Sequence, residues 1–255
     1  MRIYDYPLYY EIAFSFFDVK QQIDFFESIV KKFSKIKVKR FLDLACGPSL
    51  QLREIARRGY QAVGIDENRK MLVYLSQRAS LEGLKIEAIK KDFSDFRIKS
   101  ADFAFIMMGS FTFKSNDQFM RHLDSVACSL RSGGLYFIQN MMVDWTTENE
   151  QSWNMERDGI KVKVTYSSRW KNIHNQIRTE EMLFEVDDHG KRTKLSNSED
   201  LKFMFPQEFR TLLRVNGNFE FIGWWEGTES TWNLNKPLDQ SEHPRNINMV
   251  LLRRI

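Results

Sequence analysis

One stretch limits the folds open to this chain more than any other. It is an apolar run ending in Asp43-Leu44, a turn Ala45-Cys46-Gly47-Pro48-Ser49, and an amphipathic segment after it. Val38 to Ala45 is short and apolar and reads as a buried strand. Leu50 to Arg58 has helical spacing, and Gly59 is suited to stop it. The pattern then repeats. Strands are expected at Gln61 to Ile65, Lys85 to Lys90, Asp102 to Met108 and Leu135 to Gln139. Helices are expected from about Glu67 to Ser80 and from Asp117 to Leu130, with Ser132-Gly133-Gly134 as a turn. Alternating strands and helices with apolar strands imply a parallel sheet covered on both faces.

The flanks read differently. Residues 18–33 predict a helix capped by Asp18, with Ile23, Phe26, Ile29, Val30 and Phe33 on one side. An aromatic segment, Tyr4 to Phe17, precedes it. After about Asp144 the composition turns β-like. Lys161 to Lys171 and Ile173 to Val186 are strand candidates, with turns at Asn172 and Asp187-Asp188-His189-Gly190. Lys191 to Phe205 adds another strand, so 145–205 reads as an inserted antiparallel sheet. Pro206 opens a helix to Arg214. Phe219 to Trp225 and Ile247 to Arg253 read as final strands of the main sheet, with a polar loop from Thr228 to Arg245 between them. The fold class expected is α/β: a Rossmann-like, doubly wound, seven-stranded sheet with an inserted antiparallel β subdomain.

Composition removes several classes. With 42% hydrophobic residues, 21 of them Phe, the 255-residue chain can bury a sizeable core. Lys and Arg exceed Asp and Glu by 38 to 34, too small an excess to predict nucleic-acid binding. Cys46 and Cys128 form no metal or disulfide pattern, so no metal is expected. Neither a signal-peptide core nor a membrane-length apolar stretch is evident, and a cytoplasmic location is the expectation.

Chemistry-bearing residues fall at successive strand ends. Doubly wound sheets bind ligands there, where helix N-termini offer free N–H groups. Asp43 sits near the end of the first strand and Gly47 in its turn. Asp66 follows the second, roughly 20 residues on, the spacing at which a carboxylate reaches ribose hydroxyls. Asp92 and Phe93 follow the third and suit an adenine. Met107-Met108-Gly109-Ser110 ends the fourth. Each residue also has a structural reading. Asp66 could cap the next helix, Asp92 could hold a turn, and Phe93 and Met107 could be core. Cys46, with no His near it in sequence, reads as a buried apolar residue. No Gly-x-Gly-x-x-Gly, Walker A or Gly-x-Ser-x-Gly motif occurs at this turn or elsewhere.

Taken in order, these segments resemble the class I S-adenosylmethionine-dependent methyltransferases. Asp43-Leu44-Ala45-Cys46-Gly47 is similar to that family's first motif, Gly64-Ile65-Asp66 to its second and Lys91-Asp92-Phe93 to its third. Ser132-Gly133-Gly134-Leu135 resembles the turn before its fifth strand. The chain departs from the family's glycines at Ala45 and Ser49. The resemblance implies S-adenosyl-L-methionine as cofactor, with S-adenosyl-L-homocysteine as product. It would be held by Asp43, Ala45, Cys46, Gly47, Ser49, Asp66, Glu67, Met71, Asp92, Phe93, Met107 and Gly109. The Ser49 hydroxyl could donate to the methionine carboxylate or narrow the space beside it.

The implied organisation is an N-terminal lid and helix (1–37), a cofactor-binding core (38–144), an inserted β subdomain covering the acceptor or making a dimer contact (145–205), and the rest of the core (206–255). Tyr9 and Tyr10 are the candidates for closing the site and orienting the acceptor; packing within the helix is the other reading. Asn140, Met141, Trp145, Trp170 and Arg178 are candidates for the acceptor wall. His122 reads as surface or structural, and His174 as a turn residue. The function expected is methyl transfer to N or O of a small-molecule acceptor, by a monomer or homodimer, without nucleic acid or membrane. The alternatives are a cofactor-binding sensor without turnover, and a tRNA or protein methyltransferase.

Overall fold

The computed structural model describes residues 2–139, 149–225, 233–235, 237–240 and 249–255. In chain order, a short 3-10 turn (Ile3–Asp5) leads to α1 (Pro7–Ala13), α2 (Val19–Phe33), β1 (Arg40–Leu44), α3 (Leu50–Arg57), β2 (Gln61–Asp66) and α4 (Arg69–Leu81). Next come β3 (Ile86–Lys90), β4 (Ala101–Ile106), α5 (Asn116–Ser129) and β5 (Leu130–Gln139). Then follow β6 (Asn149–Arg157), β7 (Ile160–Asn172), β8 (Ile177–Asp188), β9 (Lys191–Lys202), α6 (Pro206–Asn216), β10 (Phe219–Trp225) and β11 (Met249–Arg254).

Seven strands form one sheet in the order β10-β11-β5-β4-β1-β2-β3. β1 to β5 run parallel, and β11 lies antiparallel between β5 and β10. The chain winds outward from β1 to β3, then returns to β4 on the other side of β1. That reversal opens a crevice at the carboxyl ends of β1 and β4. A second sheet, β6-β7-β8-β9, is antiparallel throughout.

Alternation along the strands explains the layers. Phe41, Phe103, Phe105 and Phe137 face α2 and α3, packing with Phe26, Ile29, Leu52 and Ile55. Leu42, Ala104, Ile106 and Ile138 face the other way onto Phe119, Leu123 and Val126 of α5 and Phe209 of α6. A third cluster joins Ile12 and Ala13 of α1 to Val162, Val164, Phe184, Val186 and Leu195 of the inserted sheet. Among the described residues, no helix is long and apolar enough to cross a membrane.

Several boundaries differ from the sequence expectation for local reasons. The inserted sheet has a further strand, β6, whose polar sequence Asn149–Arg157 hides it. Leu130 begins β5 rather than ending the helix, and Ser132-Gly133-Gly134 lies within an irregular stretch of that strand, with Gly133 at φ 81°. The cap of α4 is Asn68, whose side chain accepts from the N–H groups of Lys70 and Met71. Asp66 is therefore free of the capping role and is used elsewhere.

Candidate active site

The turn after β1 leaves the sheet through residues of positive φ: Ala45 at 54°, Gly47 at 52° and Ser49 at 26°. A Cβ at Gly47 would meet nothing within 4 Å, so backbone conformation, not crowding, calls for glycine there. Asp66 fastens this turn to the end of β2. Its Oδ2 accepts from the Gly47 N–H at 2.8 Å and its Oδ1 from the Asn68 N–H at 2.7 Å. Burial raises its pKa, opposed by those two bonds.

Ser49 turns inward. Its hydroxyl donates to Asp43 Oδ2 at 2.6 Å and accepts from the Leu52 N–H at 3.0 Å, capping α3. It is 3% exposed and does not crowd the cleft. Burial pushes the Asp43 pKa up to about 8, despite the Ser49 hydroxyl. Cys46 is buried behind the turn. A Cβ at Gly64 would come 2.7 Å from its sulfur, so Gly64 leaves the space that Cys46 fills. Burial and the nearby carboxylates hold this thiol neutral.

A cleft of about 1610 Å³ opens over this edge of the sheet. Ala45, Gly47, Asp66, Glu67, Met71, Phe93, Gly109 and Tyr10 line it. A small recess beside it, between α1 and the turn, is lined by Asp43, Cys46, Ser49 and Met107. Asp92 is not part of either lining. Its Oδ1 accepts from the N–H and hydroxyl of Ser94, at 2.7 and 2.8 Å, which makes it the turn residue after β3. It still acts on the cleft at one remove, since Glu67 is raised first by burial and then by the charge of Asp92.

α1 lies across the cleft, and its rotation separates the two tyrosines. Tyr10 faces inward against Tyr4 and Phe14, with ring centroids at 5.8 and 4.8 Å. Its phenol is raised by burial, so it can shape the site but not accept a proton. Tyr9 is a correction to the sequence reading. Neighbours in a helix point about 100° apart, and Tyr9 turns away to donate to Asp188 Oδ2 at 2.7 Å and stack on Tyr6.

The helix is fastened from beneath. Buried Glu11 accepts from Arg53 of α3 and Arg157 of β6, both at 2.8 Å. Trp153 of β6 adds an indole N–H bond to the Ala13 carbonyl at 2.8 Å. α1, α3 and the inserted sheet thus meet at one carboxylate.

The opposite wall comes from β7, β8 and β9, through Tyr166, Arg178, Glu180, Met182 and Glu199. Arg178 is buried. Its Nε donates to Ser168 Oγ at 2.8 Å, its Nη2 to the Ser168 carbonyl at 3.0 Å, and its guanidinium lies 5.0 Å from the Trp170 ring. Trp170 packs on Arg178 and Phe203 and does not line the cleft. Sequence reasoning does not single out Tyr166, Glu180 or Glu199. The alternation along 160–202 was the available signal, but it needs the register to become a surface.

His122 is fully buried rather than on the surface. Its Nδ1 donates to the Phe93 carbonyl at 2.7 Å and its Nε2 accepts from the Tyr136 hydroxyl at 2.8 Å. Burial lowers its pKa to about 4, so it is a neutral strut behind Phe93. His174 lies exposed in the turn between β7 and β8. Asn140, Met141 and Trp145 lie outside the described residues.

With the geometry in place, the chain can be set beside known proteins. Residues 41–134 match the model of a family described as Methyltransferase domain. The match runs from β1 into β5, and over that segment the chain is similar to methyltransferase domains. No curated protein matches the sequence. Among solved structures, the fold is similar to a S-adenosylmethionine-dependent methyltransferase from Clostridium acetobutylicum, at TM-score 0.76 and 16% identity, covering 97% of this chain and 96% of that one. It is similar to the sugar N-methyltransferase KedS8 from Streptoalloteichus, at TM-score 0.71 and 16% identity, covering 93% and 88%. It is also similar to CalS10, an amino pentose methyltransferase from Micromonospora echinaspora, at TM-score 0.69 and 14% identity, covering 92% and 91%. At these identities the likeness concerns the fold.

Proposed function

We propose that the protein transfers a methyl group from S-adenosyl-L-methionine to a nitrogen or oxygen of a small-molecule acceptor. The observation that carries this reading is the shared cleft. Gly47, Asp66 and Phe93 line one side of it, and a polar sheet face lines the other. Its volume exceeds the roughly 300–1,000 Å³ of a pocket for one drug-sized ligand, which suits a cofactor and an acceptor together.

The residues fit the cofactor. Each Asp66 oxygen accepts one backbone N–H, and a carboxylate has about four acceptor positions, so both can also accept from a ribose diol. Phe93 and Met71 offer apolar surface to a flat ring. Asp43, beside the turn and raised to about 8 by burial, would be drawn toward its charged form by the cationic end of the ligand.

When bound, the cofactor supplies a methyl group already activated on a sulfonium. What remains for the protein is orientation and exclusion of water. Tyr10 of α1 and Phe14 just after it close the site, and the inserted sheet walls the acceptor side. The sugar-amine activities in the names of two structural neighbours support an acceptor of similar size. The alternative of a sensor without turnover rests on the missing glycines of the turn and on Ser49. Its hydroxyl is engaged by Asp43 and by the α3 cap, so no observation favours that reading.

Calorimetry with S-adenosyl-L-methionine tests the proposal, followed by product detection over a panel of amines and phenols. Micromolar binding and formation of S-adenosyl-L-homocysteine with an acceptor are expected. Absence of binding at millimolar concentration overturns it.

A further inference from the structure

One face of the inserted sheet changes chemical character along its length. Val164, Phe184 and Leu195 stand in one rank across β7, β8 and β9, and they pack as core against α1. Two residues along, on the same face, stand Tyr166, Met182 and Asn197. Two further along stand Ser168, Glu180 and Glu199. A face continuing over the core would stay apolar, because a carboxylate is costly to desolvate. Here the change from aliphatic to ionisable coincides with the opening of the cleft, which Tyr166, Glu180 and Glu199 line.

Glu180 is half-buried with the Tyr166 side chain beside it, and each shifts the titration of the other. Glu199 stands directly opposite it on β9. Like charges placed so destabilise a sheet unless a counter-charge shares the site. Arg178 adjoins the pair and its charge opposes the rise of the Glu180 pKa, so one cation stands against two carboxylates. The pair also lies close to the cofactor side. Tyr4 lines the same cleft as the pair, and its carbonyl accepts from Asn68 Nδ2 at 3.0 Å, next to Asp66.

We propose that Glu180, flanked by Tyr166 and faced by Glu199, is the acceptor-binding group of this cleft, and that the acceptor is a protonated amine. This rests on the methyl-transfer reading and deepens it by choosing nitrogen over oxygen. An ammonium approaching a sulfonium is repelled, and two carboxylates on the approach offset that repulsion. A hydroxyl acceptor would gain nothing comparable, and forming its alkoxide beside two carboxylates would be disfavoured.

The steps balance. The ammonium passes a proton to the Glu180 carboxylate. The freed nitrogen lone pair forms the bond to the methyl carbon as the carbon–sulfur bond breaks and its electron pair stays on sulfur. The methylated ammonium leaves, and Glu180 returns its proton to water. Burial raises the Glu180 pKa against the opposing Tyr166 and Arg178, which brings it closer to the range in which such an exchange is easy.

The test loads the protein with S-adenosyl-L-homocysteine and titrates it with matched probes. Glucosamine is set against glucose, and cyclohexylamine against cyclohexanol. Wild type, E180Q, E199Q and Y166F are compared. At least one amine is expected to bind in preference to its hydroxyl partner. E180Q should weaken that amine roughly ten- to hundredfold, as loss of a charged hydrogen bond does, with E199Q and Y166F weakening it less. Affinity for S-adenosyl-L-homocysteine should stay unchanged in all three variants. Three results overturn the inference: no amine binding at millimolar concentration, equal binding of the hydroxyl partners, or E180Q behaving as wild type. The wild-type comparison of amine with hydroxyl decides the matter even if a variant fails to fold. Loss of S-adenosyl-L-homocysteine binding by the wild type would instead strike the methyl-transfer reading itself.

Discussion

The two sheets contribute to the cleft in opposite ways. The parallel sheet offers its edge: a turn of positive φ, a carboxylate that ties two loops, and the residues that follow each strand. The inserted sheet offers a face, built from alternate side chains on strands brought into register. An edge is made from residues adjacent in sequence. A face is made from residues that only pairing brings together. The edge suits a ligand recognised by shape and backbone, and the face suits one recognised by polar and charged side chains.

The largest expected effect lies where the two halves are fastened. Glu11→Ala leaves Arg157 and part of Arg53 without their buried partner, and should cost about 3 kcal/mol of stability. Chemical denaturation measures it. A cost below about 1 kcal/mol would mean that α1 is held to the core by apolar packing instead.

Asp66→Ala should act on the edge alone. Cofactor affinity should fall by about 2 kcal/mol, roughly thirtyfold, as both fastened N–H groups and the ribose lose their acceptor. Unchanged affinity in calorimetry would reduce Asp66 to a loop fastener.

Asp43 gives a pH test of the same edge. Its folded pKa is about 8 against an ordinary 3.8, so between those values the folded protein holds a proton that the unfolded chain has released. Stability then falls as pH rises from about 4 to about 8. Asp43→Asn removes this dependence, so the variant should gain on the wild type steadily across that window. Parallel curves for the two proteins would show that Asp43 is ionised in the fold.

Tyr9→Phe should change least. It removes one half-exposed hydrogen bond to Asp188, and both stability and turnover should stay within about 0.5 kcal/mol. A large loss of turnover would return Tyr9 to the site and undo the separation of the two tyrosines.

Much of the edge was legible because its signals are local. The Asp43-to-Ser49 turn, the βα alternation and the placement of Asp66 and Phe93 after successive strands all follow from neighbours in sequence. Even there, local reading ran out at particular residues. Ser49 was open as a ligand for the cofactor, but its hydroxyl turned inward to Asp43. Asp92 was open as an adenine acceptor and became a turn residue held by Ser94. His122 was placed correctly on a helix, but its depth depended on how α5 packs against β5.

By itself, the amino-acid sequence determined a doubly wound α/β core, the strand ends at which a ligand would be held, and an antiparallel insertion. Periodicity and turn chemistry act over a few residues, so they survive without knowledge of the fold. Tertiary structure decided which of two adjacent tyrosines faces the cleft, and it brought Glu11 to arginines from two other elements. It also set Tyr166, Glu180 and Glu199 on one face opposite Asp66. Those outcomes depend on helix rotation and strand register. Both are set by burial of whole apolar faces, through contacts between residues far apart in the chain.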